Sequence, residues 1–151
     1  MTPLLHRMRR RPFHFALLYL SAPLIYGMLL PIAVADGFAT LYQHVCFRVY
    51  GIPRVRRRDH LMFDRARLSG LGWLDKLNCI YCEYANGVVA YVQEILARTE
   101  WYWCPVKHRR DVARPHAHYD RFMAYDAADN AFHTLRKAAR QQCRACEEPK
   151  P

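Results

Sequence analysis

Residues 13–35 have the sequence FHFALLYLSAPLIYGMLLPIAVA, and this stretch decides the fold. It contains no Asp, Glu, Lys or Arg in 23 residues. As a helix it would be about 35 Å long, which exceeds the hydrocarbon core of a bilayer, about 30 Å. The stretch therefore predicts a membrane-inserted helix near the N-terminus of a mainly α-helical protein.

Arginines on both sides of this stretch leave its geometry open. Arg7 and the arginines at 9–11 precede it, and a second cluster follows at 54–58. Arginines favour the cytoplasmic side, so a single span would move one cluster across the membrane. A re-entrant helix that bends at Ser21-Ala22-Pro23 would keep both clusters on one side, because proline disrupts helical hydrogen bonding. We expect the bulk of the protein on the cytoplasmic face of its membrane.

Two alternatives compete with a membrane anchor. The first is a signal peptide, because Ala33-Val34-Ala35 before Asp36 has the small-x-small form of a cleavage site, and cleavage there would give a periplasmic product. The second is a helix buried in the core of a globular domain.

Composition limits the classes of function. A chain of 151 residues fits one small domain and excludes a multidomain enzyme, and a hydrophobic content of 52% excludes a disordered tail. The net charge is +10, and only four of the 23 basic residues are lysines. Such a charge suits anionic lipid headgroups or nucleic acid. We expect Arg54, Arg56, Arg57 and Arg58 to contact lipid headgroups.

The chain divides where charge and composition change. Apolar residues recur at three- and four-residue steps from Trp73 to about Trp103, which predicts a helix, and Asn86-Gly87 is expected to cap and restart it. A second helical stripe runs from Met123 to Ala138. The predicted segments are a basic tail at 1–12, a membrane helix with an interfacial extension at 13–50, an arginine-rich connector at 51–72, a helical domain at 73–140 and a flexible tail at 141–151.

Cysteine spacing gives the sharpest chemical signal. Cys79 and Cys82 form a Cys-x2-Cys pair, which can share a zinc or iron ion. One ligand set adds Cys104 and His108, but it fails if one unbroken helix separates Cys82 from Cys104. A second set adds the pair at 143 and 146. The same thiols would suit redox chemistry at a helix start, or structural disulfides in an exported protein.

Several strings resemble a family of small bacterial membrane proteins with no known activity. They are Leu41-Tyr42-Gln43, Tyr50-Gly51-Ile52-Pro53-Arg54, Leu77-Asn78-Cys79 with Cys82, Tyr84-Ala85-Asn86-Gly87, and Tyr102-Trp103-Cys104-Pro105 with Lys107-His108. The likeness covers about residues 20–125, so the cysteine pair at 143 and 146 lies outside it. The resemblance implies a location in the bacterial inner membrane and no particular reaction.

These observations lead to three hypotheses for function. The first is a membrane-anchored interaction or assembly factor that docks on anionic lipid and binds another membrane protein. The second is a zinc, iron or thiol-redox site at Cys79 and Cys82. The third is an enzyme acting on a lipid-linked substrate, although the common hydrolase motifs are absent from the sequence. Nucleic-acid binding is the least favoured.

Overall fold

The computed structural model describes the backbone of residues 12–146 and, in that range, all side chains except those of 12–19, 129 and 130. The arginines at 7 and 9–11, which flank the apolar stretch in the sequence, lie outside the described residues. The described chain is mainly helical, as predicted, and its β-type pairing is limited to one bridge between Val106 and Met123. The α-helices are α1 (Pro12–Gly27), α2 (Leu29–Tyr42), α3 (Arg48–Tyr50), α4 (Trp73–Trp103) and α5 (Tyr125–Arg144).

Helices α1, α2 and α3 form one nearly continuous run, with a π-helical turn at Gln43–Phe47 between α2 and α3. The part from Leu20 to Tyr50 is long and apolar enough to cross a membrane by length and composition. Only 11% of its apolar window is buried inside the protein. A buried core helix is therefore the wrong interpretation of this segment.

The helical run does not bend where the sequence suggested. Pro23 lies inside α1, and the irregularity falls at Met28, between α1 and α2. Pro31 lies three residues beyond Met28, and it has no N–H to donate to the carbonyl of Gly27. Met28 keeps right-handed helical dihedral angles, and its carbonyl accepts a 3.3 Å hydrogen bond from the N–H of Ile32. Residues 21–23 are thus helical, and the helix break that the re-entrant geometry was expected to have there is not seen.

The N-terminal run and α4 lie side by side and run in the same direction. Residues with higher numbers on the N-terminal run contact residues with higher numbers on α4, as expected for two parallel helices. The contacts are Tyr26 Oη to Asn78 Oδ1 (2.6 Å), Tyr84 Oη to Asp36 Oδ2 (3.1 Å), Thr40 Oγ1 to Tyr91 Oη (3.3 Å), Tyr42 Oη to Thr99 Oγ1 (3.1 Å) and the stacked rings of Tyr50 and Tyr102 (5.0 Å).

Parallel packing requires the connector at 51–72, here called the strap, to return along the helix pair. Gly51 begins it with φ +71°, a left-handed conformation that favours glycine. The strap then passes successively earlier positions on both helices. The carbonyl of Pro53 accepts from Arg98 Nη1 (2.9 Å), the N–H of Val55 donates to Gln43 Oε1 (3.0 Å), and the N–H groups of Asp64 and Arg65 donate to Glu83 Oε1 (3.2 and 2.8 Å).

Helix α4 continues without a break through Asn86-Gly87, so the expected cap and restart there is wrong. The amide of Asn86 donates within its own helix to the carbonyl of Cys82, at 2.9 Å. Gly87 serves a different purpose, because the strap crosses α4 at this position. A Cβ atom on Gly87 would lie 2.8 Å from the carbonyl oxygen of His60.

Helix α5 packs on the C-terminal end of α4. Arg140 Nε donates to the carbonyl of Tyr102 at 3.1 Å, and Cys143 is fully buried with its sulfur 3.6 Å from the carbonyl oxygen of Arg98. The predicted flexible tail is therefore wrong for residues 141–146, because their cysteines behave as small apolar groups and join the core. Residues 147–151 lie outside the described part of the chain.

Replacing Gly87 with Ala tests the docking of the strap. Alanine favours helix over glycine by about 1 kcal/mol, but the close carbonyl of His60 is expected to reverse this gain and lower the free energy of unfolding by about 1–3 kcal/mol. Gly37→Ala in α2 is the matched control, because a Cβ there meets nothing within 4 Å. Chemical unfolding of the full chain in detergent micelles, followed by circular dichroism, measures both. Equal stabilisation by the two substitutions would contradict the strap position.

Candidate functional site

A cavity of about 480 Å³ lies between α2, α4 and the segment that follows α4. That segment, residues 104–122, is here called the histidine loop. Cavities of this size are typical of sites for small organic ligands. The aliphatic lining residues include Ile32 and Ala35 on α2, Val88, Val89, Val92 and Leu96 on α4, and Val112 and Pro115 on the histidine loop.

Polar side chains line another part of the cavity. They are Gln93 and Glu100 from α4 and His108, Arg114 and His116 from the histidine loop. His116 Nε2 lies 3.3 Å from Glu100 Oε2. Burial lowers the pKa of the His116 imidazole, against the opposing effect of the Glu100 carboxylate, so this histidine is neutral at pH 7. Arg114 is exposed, and its positive charge is available to a ligand.

A buried ionic network holds the histidine loop against α4. Arg98 is fully buried, and its Nε donates to Glu94 Oε1 at 2.8 Å. His118 Nε2 lies 2.8 Å from the same oxygen, and its ring stacks on Trp101 at 5.2 Å. Burial alone would raise the pKa of Glu94, but the hydrogen bonds from His118 and Arg98 outweigh it and lower the pKa to about 2. This network positions one wall of the cavity.

The base of the histidine loop is closed by backbone hydrogen bonds around Val106 and Met123. The N–H of Lys107 donates to the carbonyl of Met123 (2.8 Å), and the N–H of Met123 donates to the carbonyl of Pro105 (2.9 Å). The loop therefore leaves α4 and returns to the same place before α5 begins.

Asp36 is the first charged residue after the apolar stretch, and it is buried against the strap. Arg57 meets its carboxylate in a bidentate pair, with Nε to Oδ1 at 3.2 Å and Nη2 to Oδ2 at 2.6 Å. The hydrogen bond to Asp36 raises the pKa of Arg57. The neighbouring Arg54, Arg56 and Arg58, which the sequence predicts as lipid contacts, are exposed. Arg57 is thus held by Asp36, and Arg58 Nε lies 3.7 Å from Asp59 Oδ1.

The structure does not bring the predicted metal ligands together. Helix α4 is unbroken, so Cys82 and Cys104 are separated by about 33 Å of helical rise, and the first set of Cys79, Cys82, Cys104 and His108 is not assembled. The pair at 143 and 146 packs at the opposite end of α4 from Cys79 and Cys82, so the second set also stays apart. Among the described side chains, those of residues 20–128 and 131–146, no group of three His, Cys, Asp or Glu is arranged to hold a metal ion. No disulfide forms there either.

Comparisons with family models, with curated proteins and with solved structures find no match to this chain. The candidate site therefore rests on its own geometry.

Sequence reasoning missed the Glu94 network and the cavity beside it. The spacing of Glu94 and Arg98 by four residues was a visible signal for an ion pair on one helix face. His118, however, lies in a basic stretch that resembles a solvated loop. Its burial depends on contacts 24 residues away, which the local pattern does not encode.

Replacing Glu94 with Gln tests the network. The lowered pKa of Glu94, about 2 against an ordinary 4.5, is expected to contribute on the order of 3 kcal/mol to the free energy of unfolding at pH 7. A lowered pKa stabilises the fold above pH 4.5, and that contribution disappears as the pH falls toward 2. The Glu94→Gln protein is expected to lack this part of the acid dependence. It should also be less stable at pH 7, because buried Arg98 loses its carboxylate partner.

Denaturant unfolding of the full chain in detergent, repeated at several pH values, measures this difference. Asp111→Asn removes an exposed carboxyl from the histidine loop and is expected to follow the native curve. An unchanged acid dependence in Glu94→Gln would contradict the assignment.

Proposed function

We propose that this protein is a membrane-anchored interaction or assembly factor whose helical domain docks on an anionic membrane surface. The observation that carries the proposal is the pairing of Asp36 with Arg57. It fixes an exposed apolar helix to a folded domain at the point where the apolar stretch ends, and it holds an arginine cluster at that same point.

The exposure of the apolar helix supports an anchor. Large apolar side chains that water would otherwise contact occur from Leu20 to Val49. Each buried Å² of such surface is worth about 25 cal/mol. A bilayer would cover them. They include Leu20, Leu24, Ile25, Met28, Leu30 and Val34.

The first turns of α4 lie beside this helix and, because they also carry Asp75 and Lys76, suit the membrane interface. Tyr81 Oη donates to the carbonyl of Ile25, so this end of α4 lies beside the apolar stretch. Its large exposed side chains are Trp73, Leu74, Leu77 and Ile80. An aromatic and aliphatic surface of this kind is typical of residues at the membrane interface.

The arginines of the strap would then meet the lipid headgroups. Arg57 brings the strap to Asp36, one residue after the uncharged stretch ends, so Arg54, Arg56 and Arg58 lie near the level at which a helix leaves the hydrocarbon core. Each arginine near an anionic surface contributes about 1 kcal/mol. Arginines on the domain side favour the cytoplasmic face of a bacterial inner membrane.

The contacts of the helix argue against the signal-peptide alternative. Cleavage after Ala35 would cut α2 in its interior, next to the buried carboxylate of Asp36. It would also remove Tyr26 and Ile25 from their hydrogen bonds with Asn78 and Tyr81. A segment that is packed in this way fits a permanent part of the fold better than a leader.

An apolar edge on the domain side supports binding of another membrane protein. It continues the exposed surface of the anchor helix beyond Asp36, so a partner lodged in the same membrane could cover both. Its residues are Phe38, Leu41, Val45 and Val49.

Energy transfer from the protein's tryptophans to dansyl-labelled lipids tests the docking. In vesicles of phosphatidylcholine with a few per cent of labelled lipid, dansyl-phosphatidylglycerol is expected to be enriched around the reconstituted full chain relative to dansyl-phosphatidylcholine. Arg54→Glu/Arg58→Glu should abolish the preference, because two attractive charges become repulsive. Arg57 is left unchanged because it bonds to Asp36.

The control variant is Arg136→Glu/Lys137→Glu, which makes the same change of charge on α5, and it should keep the preference. Equal labelling by the two lipids around the native chain would contradict docking on anionic lipid.

A further inference from the structure

The cavity beside α2 has walls that suit a hydrocarbon chain. Val89, Leu96 and Val112 line it and remain exposed, so the protein leaves this aliphatic surface uncovered. Exposed apolar surface of this kind is stabilised when a ligand covers it. The volume of about 480 Å³ fits one small ligand or one chain of a larger one.

Basic residues cluster at the part of the cavity that the histidine loop lines. Arg114 and His108 line the cavity, and the exposed Arg109 and Arg110 are their neighbours in sequence. From Lys107 to Arg114 the charge is +4 − 1 = +3, with Asp111 as the acidic residue. Glu100 also lines the cavity with one negative charge, so the loop segment and this carboxylate together still carry +3 − 1 = +2. A ligand with an anionic group at one end would complement this arrangement.

The anchor helix itself forms one wall of the cavity. Ile32 and Ala35 line it from α2, and both precede Asp36 by one turn or less. The cavity extends along α4 on the domain side of Asp36, and one end of it lies at the level where the uncharged stretch ends. If the proposed membrane placement holds, this level is the boundary between acyl chains and headgroups, and a lipid chain could reach the cavity from the bilayer beside the helix.

We propose that this cavity binds one acyl chain of an anionic phospholipid, with the headgroup held by Arg114 and His108. The proposal rests on the membrane placement above, because the bilayer supplies the ligand. It adds a specific lipid-binding site to the non-specific attraction of the strap arginines. The aliphatic wall selects the chain, and the basic residues select the charge of the headgroup.

Photo-crosslinking tests the site. The full chain is reconstituted in phosphatidylcholine nanodiscs that contain a few per cent of phosphatidylglycerol with a diazirine on one acyl chain, and the labelled peptides are mapped by mass spectrometry. Labelling is expected on α4 between Val88 and Leu96, as well as on the anchor helix. A phosphatidylcholine probe with the same diazirine should label the cavity about fivefold less, because it lacks the net negative charge.

Two variants separate the cavity from the surrounding bilayer. Val89→Trp fills the cavity and should suppress labelling of its wall while the anchor helix is still labelled. Leu77→Trp makes the same kind of change at an exposed α4 position that does not line the cavity, and it should have no effect. Arg114→Gln should reduce cavity labelling by the anionic probe about fivefold, and Arg114→Lys should restore it.

The outcomes distinguish this inference from the proposed function. Labelling of the anchor helix without labelling of the cavity wall, or equal cavity labelling in Val89→Trp and the native chain, would overturn the lipid site and leave the anchor intact. Absence of labelling on the anchor helix would overturn both.

Discussion

The bidentate pair between Asp36 and Arg57 is the interaction on which the rest of the structure depends. It joins the last part of an uncharged helix to a strap with little regular structure, and Tyr84 on α4 donates to the same carboxylate. Two parallel hydrogen bonds from one guanidinium fix orientation as well as distance. The pair therefore sets both the rotation of the apolar helix and the position of the arginine cluster along it.

The strap can lie along two helices because polar side chains satisfy its backbone. In a segment without regular secondary structure, the backbone N–H groups need other acceptors. A buried N–H group without a hydrogen bond lowers the stability of the fold. Gln43 accepts from Val55, and Glu83 accepts from two consecutive N–H groups at 64 and 65. These buried polar residues provide the hydrogen-bond acceptors that a neighbouring strand or a helix would provide in regular secondary structure. The histidine loop uses the same principle on another side of α4, where Glu94 accepts from His118.

Local signals were enough to predict the long helices. The N-terminal helix follows from the length of the uncharged apolar stretch, and the helix from Trp73 to Trp103 follows from the three- and four-residue steps of its apolar residues. The position of the irregularity in the N-terminal helical run was not predicted correctly, because Pro23 and Pro31 carry the same local signal. Contacts between distant segments could not be inferred. Parallel packing of the two helices, the burial of Cys143 and the cavity at Val89 all depend on pairs more than 40 residues apart or on three segments meeting.

Alkaline carbonate extraction of membranes from bacteria that produce the full chain, followed by intact-mass analysis, tests the central claim most directly. The account predicts that the protein stays in the membrane pellet with the mass of the uncleaved chain, 17.9 kDa, because the apolar helix is a permanent part of the fold. A water-soluble product that begins at Asp36 would contradict it, since the helix would then be a leader and its contacts with α4 would be absent from the mature protein.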